Sequence, residues 1–106
     1  MFAGKYQYSI KRKFGKKVGV LELDFDEPTQ SLTGAIQLKG MMMPIRGKVD
    51  GHKIEFYGSH VGKLATYIFC VGGYSNDDGA TFSGKMEDKR SNRVFDAVRV
   101  SDTVAE

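Results

Sequence analysis

Along most of this chain apolar and polar residues alternate one by one, the pattern of strands with one face buried and the other in water. In residues 2–14 the even positions Phe2, Tyr6, Tyr8 and Ile10 are apolar, with Lys5, Gln7, Ser9, Lys11 and Lys13 between them. The even face points inward. After a turn near Gly15, Lys16 and Lys17 the phase reverses, and Leu21, Leu23 and Phe25 alternate with Val20, Glu22, Asp24 and Asp26. Strands that share a core pair inward with inward, so an even position of the first faces an odd position of the second. We expect Lys11 opposite or diagonal to Glu22, with Lys13 near Val20. Such ion pairs contribute only ~0.2–1 kcal/mol each, yet they neutralise most of the field that a nucleic acid would feel, so nucleic acid is a disfavoured partner.

Turn signals recur at short intervals. Glu27-Pro28-Thr29-Gln30 precedes residues 32–38, whose even positions are apolar or glycine. Asp50-Gly51 is the strongest local signal, because primed two-residue turns need positive φ and favour these residues. Placing Asp50 and Gly51 at the centre of the turn pairs Val49 with His52, Gly47 with Ile54, Ile45 with Phe56 and Met43 with Gly58. Arg46 then faces Glu55 and Pro44 faces Tyr57 on the outer side. Beyond Gly62 and Lys63, residues 64–71 are apolar on both faces, so the chain or a second subunit must cover the outer one. Gly72-Gly73, a polar turn over residues 75–79, a strand over residues 80–88 and a last one over residues 94–100 complete the chain.

Helical periodicity is almost absent. About eight short antiparallel strands with tight turns imply an all-β, up-and-down meander closing into a small barrel, in which closure removes the exposed edges. Gly34, Gly47, Gly58 and Gly84 fall on inward faces, where they let a sheet coil. Ser31-Leu-Thr-Gly-Ala-Ile36 and Thr81-Phe-Ser-Gly-Lys-Met86 share one pattern fifty residues apart, and each follows a polar turn. This repeat suggests two four-stranded halves.

Composition narrows the class without naming a function. A chain of 106 residues, 41% hydrophobic and 27% charged, supports one domain over residues 1–106 with one core. No apolar run reaches the ~18 residues of a spanning helix, and the start lacks the pattern of a signal peptide. Together with the lone Cys70 these features suggest a cytoplasmic protein with no membrane partner. The net charge of +3 is small but uneven: Lys5, Lys11, Arg12, Lys13, Lys16 and Lys17 all precede the first acid, Glu22.

Two short segments resemble known barrels. Gly4-Lys5-Tyr6 is similar to the Gly-x-Trp of the first strand in lipocalins and avidins, and Leu32-Thr33-Gly34 resembles the Leu-Thr-Gly of avidin-type barrels. The resemblance is to calycin-like barrels in general and implies an eight-stranded ligand-binding barrel. The segments Gly47-Lys-Val-Asp-Gly51 and Phe82-Ser-Gly84 are similar to strand-turn units of small bacterial β domains. The chain has no Trp, so the aromatic walls with which avidins hold biotin are missing, and none of that family's ligand residues carries over.

Catalytic and metal motifs are sparse. His52 and His60 belong to no ligand spacing, Asn76-Asp77-Asp78-Gly79 lacks the spacing of a calcium loop, and no cofactor motif is present. Cys70, His60 and Asp77 would form a nucleophile, base and orienter if they met, but Cys70 stands in an apolar strand where cysteine acts as a small hydrophobe. Glu22, Asp24 and Asp26 read as the wet side of a strand. The run Met41-Met42-Met43 lies between glycine and proline; Met43 falls inward, Met42 outward or on the rim, and Gly40-Met41 in the connection. Methionine serves both as core filler and as adaptable contact surface.

Two functional expectations follow. In the first, a non-enzymatic barrel, alone or as a homodimer, binds a small apolar or aromatic ligand through Tyr6, Tyr8, Phe25, Met41, Met42, Met43, Ile45 and Phe56, with the tyrosine hydroxyls supplying polar contacts. In the alternative, the basic first hairpin with its nearby aromatics contacts single-stranded nucleic acid or another polyanion.

Overall fold

The alternation is realised as eight strands: β1 (Gly4–Lys11), β2 (Lys16–Asp26), β3 (Ser31–Leu38), β4 (Met41–Asp50), β5 (Lys53–Val61), β6 (Thr66–Ser75), β7 (Thr81–Asp88) and β8 (Asn92–Ser101). They are seen in a computed structural model that describes residues 3–38, 40–61, 66–76, 79–89 and 91–101. Each strand pairs antiparallel with the next, and β8 returns to β1, so the meander closes into a barrel. Phe2, the Gly62-Lys63 turn, Leu64, Asp77 with Asp78, and the His60 side chain lie outside the described residues.

The inward phases are those of the pattern. Tyr6, Tyr8 and Ile10 of β1 and Leu21 and Leu23 of β2 are buried, as are Leu32, Ile36 and Leu38 of β3. Phe69 and Val71 of β6 point in, while Ile68 is 61% exposed and Cys70 is also exposed. The outer face of β6 is thus left uncovered among the described residues. Met41 is not part of the connection: it opens β4 and pairs with Leu38.

Two registers differ from expectation. In the first hairpin Lys5 faces Glu22 and Lys11 faces Lys16, so the basic end of β1 is not matched by the acids of β2. The reason is a tighter turn. The Arg12 N–H donates to the Gly15 carbonyl at 2.9 Å, and Gly15, at φ +79°, supplies the left-handed residue that closes it. In the β4–β5 hairpin Asp50 pairs with Lys53, which puts Gly51 and His52 at the centre. Only Gly51 of these has positive φ, at +63°, as a type II′ turn requires. Val49 therefore pairs with Ile54, Gly47 with Phe56 and Ile45 with Gly58, while Arg46 faces Tyr57 and Lys48 faces Glu55. A slide by two keeps every side chain on its face.

The internal repeat extends to the whole register. Gly4 pairs with Leu23 and Ile54 with Gly73; Leu23 pairs with Gly34 and Gly73 with Gly84; Ser31 pairs with Lys48 and Thr81 with Val98. Each second pair is the first displaced by fifty residues. The closing seam alone departs: Val49 pairs with Ile54, whereas Arg99 pairs with Tyr6 instead of Gly4. Packing follows the repeat. A Cβ on Gly34 would lie 1.9 Å from the Glu22 carbonyl oxygen, and one on Gly84 would lie 1.9 Å from the Gly72 carbonyl oxygen. These glycines mark equivalent close approaches where the sheet coils.

Candidate functional site

The side chains expected to line a cavity instead fill the barrel. Tyr6, Tyr8, Met43, Ile45 and Phe56 are buried in one core cluster, and Phe25 packs against it half-buried. Tyr8 stacks on Phe95 with centroids 5.2 Å apart, Phe95 meets Phe82 at 6.0 Å, and Phe56 stands edge-on to both at 6.3 Å. The tyrosine hydroxyls serve the fold. Tyr6 Oη donates to the Gly79 carbonyl at 2.6 Å, and Tyr8 Oη donates to the Gln37 carbonyl. Burial pushes the Tyr8 phenol above its ordinary pKa. Met43 falls inward and Met42 to the rim as the pattern suggests, at 1% and 47% exposed, while Met41, at 39%, stands at the rim as the first residue of β4.

The meander gathers cations at one end. The turns after β1, β3, β5 and β7 share one end of the barrel, and those after β2, β4 and β6 share the other. The first end carries Lys11, Arg12, Lys13, Lys16, Lys17, Lys89 and Arg93 against Glu87 and Asp88, whereas at the opposite end Asp26, Glu27 and Asp50 are mixed with Lys5, Lys48, Lys53 and Arg99. Along β2 the chain runs about 33 Å from Lys16 to Asp26 at ~3.3 Å per residue, several times the ~8 Å Debye length of physiological salt, so the acids of the far end do not cancel the basic field. Asp96, opposite Ser9 on β8, is the acid beside the hairpin's flank. At the tip Phe14 is 87% exposed, and the Lys13 Nζ lies 5.8 Å from its ring centroid.

Inside this end lies an open pocket of about 310 Å³, lined by cations from two hairpins: Arg12 and Lys17 from the first, Arg93 from the last. Its floor is apolar, formed by Ile10, Leu38 and Met86. Its far wall is a fixed polar unit. Tyr67 Oη donates to Asp88 Oδ2 at 3.1 Å, and the Ser91 N–H and Oγ donate to Asp88 Oδ1 at 2.8 and 3.1 Å. Burial first, then the hydrogen bond to Asp88 and the charge of that carboxylate, push the Tyr67 phenol up to about 12. It stays protonated as a donor and provides no base.

No protein-family model, curated protein or solved structure matches this chain. The site must therefore be read from its own chemistry. Three cations and one carboxylate leave the pocket with a net positive charge, and its apolar floor adjoins hydroxyl groups. Such a lining suits an anionic group attached to an apolar or aromatic body. Cys70 has a different setting: desolvation, then Glu55 and Glu87, raise its thiol pKa and suppress the nucleophilic thiolate. Among the described residues no group of three His, Cys, Asp or Glu could hold a metal ion.

Arg12 and Lys17 belong to the basic hairpin expected to meet a polyanion, whereas Tyr67, Asp88, Ser91 and Arg93 were not expected at any site. A signal for Asp88 was present. It continues the inward phase of Phe82, Gly84 and Met86, where a carboxylate needs partners to be buried. Under the fifty-residue offset its counterpart is Leu38, and that of Arg93 is Met43.

Proposed function

We propose that this protein is a binding module for a single-stranded polyanion, nucleic acid in chemical class, which it contacts through the basic end of the barrel. The observation that carries this reading is the Lys11 to Lys16 pairing. It sets like charges directly opposite, which costs stability, and leaves the five cations of the first hairpin without the acids of β2 beside them. Phe14, exposed between cations, offers a stacking face of the kind that single-strand binders use. The closed barrel is compatible with the calycin-like fold that its first strand resembles. The apolar-ligand reading would need an interior that opens, yet aromatic rings meet at its centre and both tyrosine hydroxyls hold backbone carbonyls.

The test is fluorescence anisotropy with a labelled deoxythymidylate strand of ~12 nucleotides across a salt series. With about five phosphates neutralised, log affinity falls against log salt with a slope near −3.5, roughly a hundredfold between 50 and 200 mM. Reversing Lys16 and Lys17 to glutamate should abolish most of the binding. Salt-independent binding, or full affinity in the reversed variant, would refute the proposal.

A further inference from the structure

We infer that the pocket between the first and last hairpins is a site for a terminal phosphomonoester, so that the protein recognises the phosphorylated end of a strand as well as its backbone. The inference rests on the polyanion reading, but its geometry is separate. The backbone contact is made by the first hairpin alone, through Lys11, Lys13, Phe14 and Lys16 with Arg12 and Lys17 adding charge. The pocket lies inside the rim and adds Arg93 from β8, which reaches the same space as Arg12 and Lys17 from across the β1–β8 seam.

Three features distinguish this pocket from a general basic surface. Its two guanidinium groups are planar forks that match phosphate oxygens, and a terminal phosphate offers more free oxygens and more charge than a bridging one. Its single acid is occupied: Asp88 accepts from Tyr67 and twice from Ser91. That unit holds the β7–β8 turn, and the Asp88 N–H closes it on the Ser91 carbonyl at 3.0 Å. Finally, Ile10, Leu38 and Met86 form an apolar floor, against which the terminal sugar and base can rest while the phosphate meets the cations. At about 310 Å³ the pocket is at the small end of the range for ligand sites, enough for an end group and not for a passing strand.

The experiment compares the same deoxythymidylate strand with a 5′-phosphate and with a 5′-hydroxyl, using the full chain and variants whose thermal unfolding is unchanged. The phosphorylated strand is expected to bind about tenfold tighter. Arg93→Ala should bring it to the affinity of the hydroxyl strand while leaving the latter within about twofold; Arg93→Gln should do the same if Arg93→Ala is poorly folded. Lys13→Ala should weaken both strands equally. Free deoxythymidine monophosphate should compete away the end preference, and orthophosphate should do so less well because it leaves the floor unused. Equal affinity of the two strands would overturn the pocket and leave the backbone reading standing. Absence of binding by either would overturn both. A preference that survives both Arg93→Ala and Arg93→Gln would overturn the assignment to this pocket.

Discussion

Replacing Lys16 by glutamate should stabilise the fold and weaken its binding together. Lys11 and Lys16 are directly opposed and exposed on the outer face of β1 and β2. Unit charges ~6 Å apart in a water-like dielectric repel by roughly 0.7 kcal/mol, and salt near 0.15 M lowers this to ~0.3 kcal/mol. Lys16→Glu turns that repulsion into an attraction of similar size, a swing of about 1 kcal/mol at low salt. Lysine and glutamate have similar strand propensity, and Asp96, which lines one hollow with Lys11 and Lys16, would repel the new carboxylate, so the comparison is made in an Asp96→Asn background. For a domain of this length the gain corresponds to a rise in Tm of roughly 4–8 °C. Thermal unfolding by circular dichroism in ~10 mM salt should show it, and near 1 M salt, where the Debye length is ~3 Å, it should vanish. The same variant loses strand affinity and part of the salt slope. Had Lys11 faced Glu22, Lys16 would sit in a loop and its reversal would leave Tm unchanged. An unchanged or lowered Tm, or a gain that persists at high salt, refutes the like-charge pairing.

Other expectations come from the interior. Gly84→Ala and Gly34→Ala should each cost about 3 kcal/mol or more in urea unfolding, because the new methyl meets a backbone carbonyl at 1.9 Å. Gly40→Ala, with φ +78° but open space, should cost only ~1 kcal/mol; equal costs at the three sites would contradict the close approaches. Tyr67 stays protonated to about 12 in the fold and ionises near its ordinary 10.0 when unfolded, so its contribution is complete below pH 10 and fades between pH 10 and 12. Tyr67→Phe should flatten that alkaline part of the urea-midpoint profile, and an unchanged profile would count against the Tyr67–Asp88 bond. Gly19→Phe should fail beside Tyr8, whose Oη would be 2.6 Å from the new Cβ. Paired with Tyr8→Gly it should recover stability, with a coupling of ~1–3 kcal/mol; strictly additive losses would argue against ring exchange in this layer.

Strand phase was legible because a half-buried strand writes its inward face into alternate residues. Tyr6, Tyr8, Leu21 and Leu23 allow only one choice, since a slip by one would expose all four. Register was less legible for the same reason. A slip of two, four or six residues leaves every face in place, so the hydrophobic pattern could not choose between Lys11 facing Glu22 and Lys11 facing Lys16. Turn conformation decided it, through the left-handed φ of Gly15 and of Gly51. Asp50-Gly51 marked the right hairpin, but the pair of residues at its centre was Gly51 and His52. The pocket was harder to read, because Arg12 and Arg93 meet only through barrel closure. The phase of Asp88 was the one local hint.

The halves share one register but not one chemistry, and their differences fall at the candidate site. In the central layer the contents are exchanged without loss of volume. Tyr8 fills the space left by Gly19 in the first half, and Phe69 fills the space left by Gly58 in the second; each ring and glycine are cross-strand partners. Such an exchange is what packing alone requires, because a filled layer needs a ring and a gap but is indifferent to which strand carries each. The layer at the basic end behaves differently. There Leu38 and Met43 have as counterparts Asp88 and Arg93, so apolar volume in the first half is replaced by charge in the second, while Lys17 has as counterpart Tyr67. Packing does not ask for that replacement, since Leu38 shows that an apolar residue fits the equivalent position and a half-buried carboxylate needs three donors to be tolerated there. The asymmetry gathers at the end that also bears the like-charged Lys11 and Lys16. Two departures from what stability favours thus coincide in one place, the end proposed to bind.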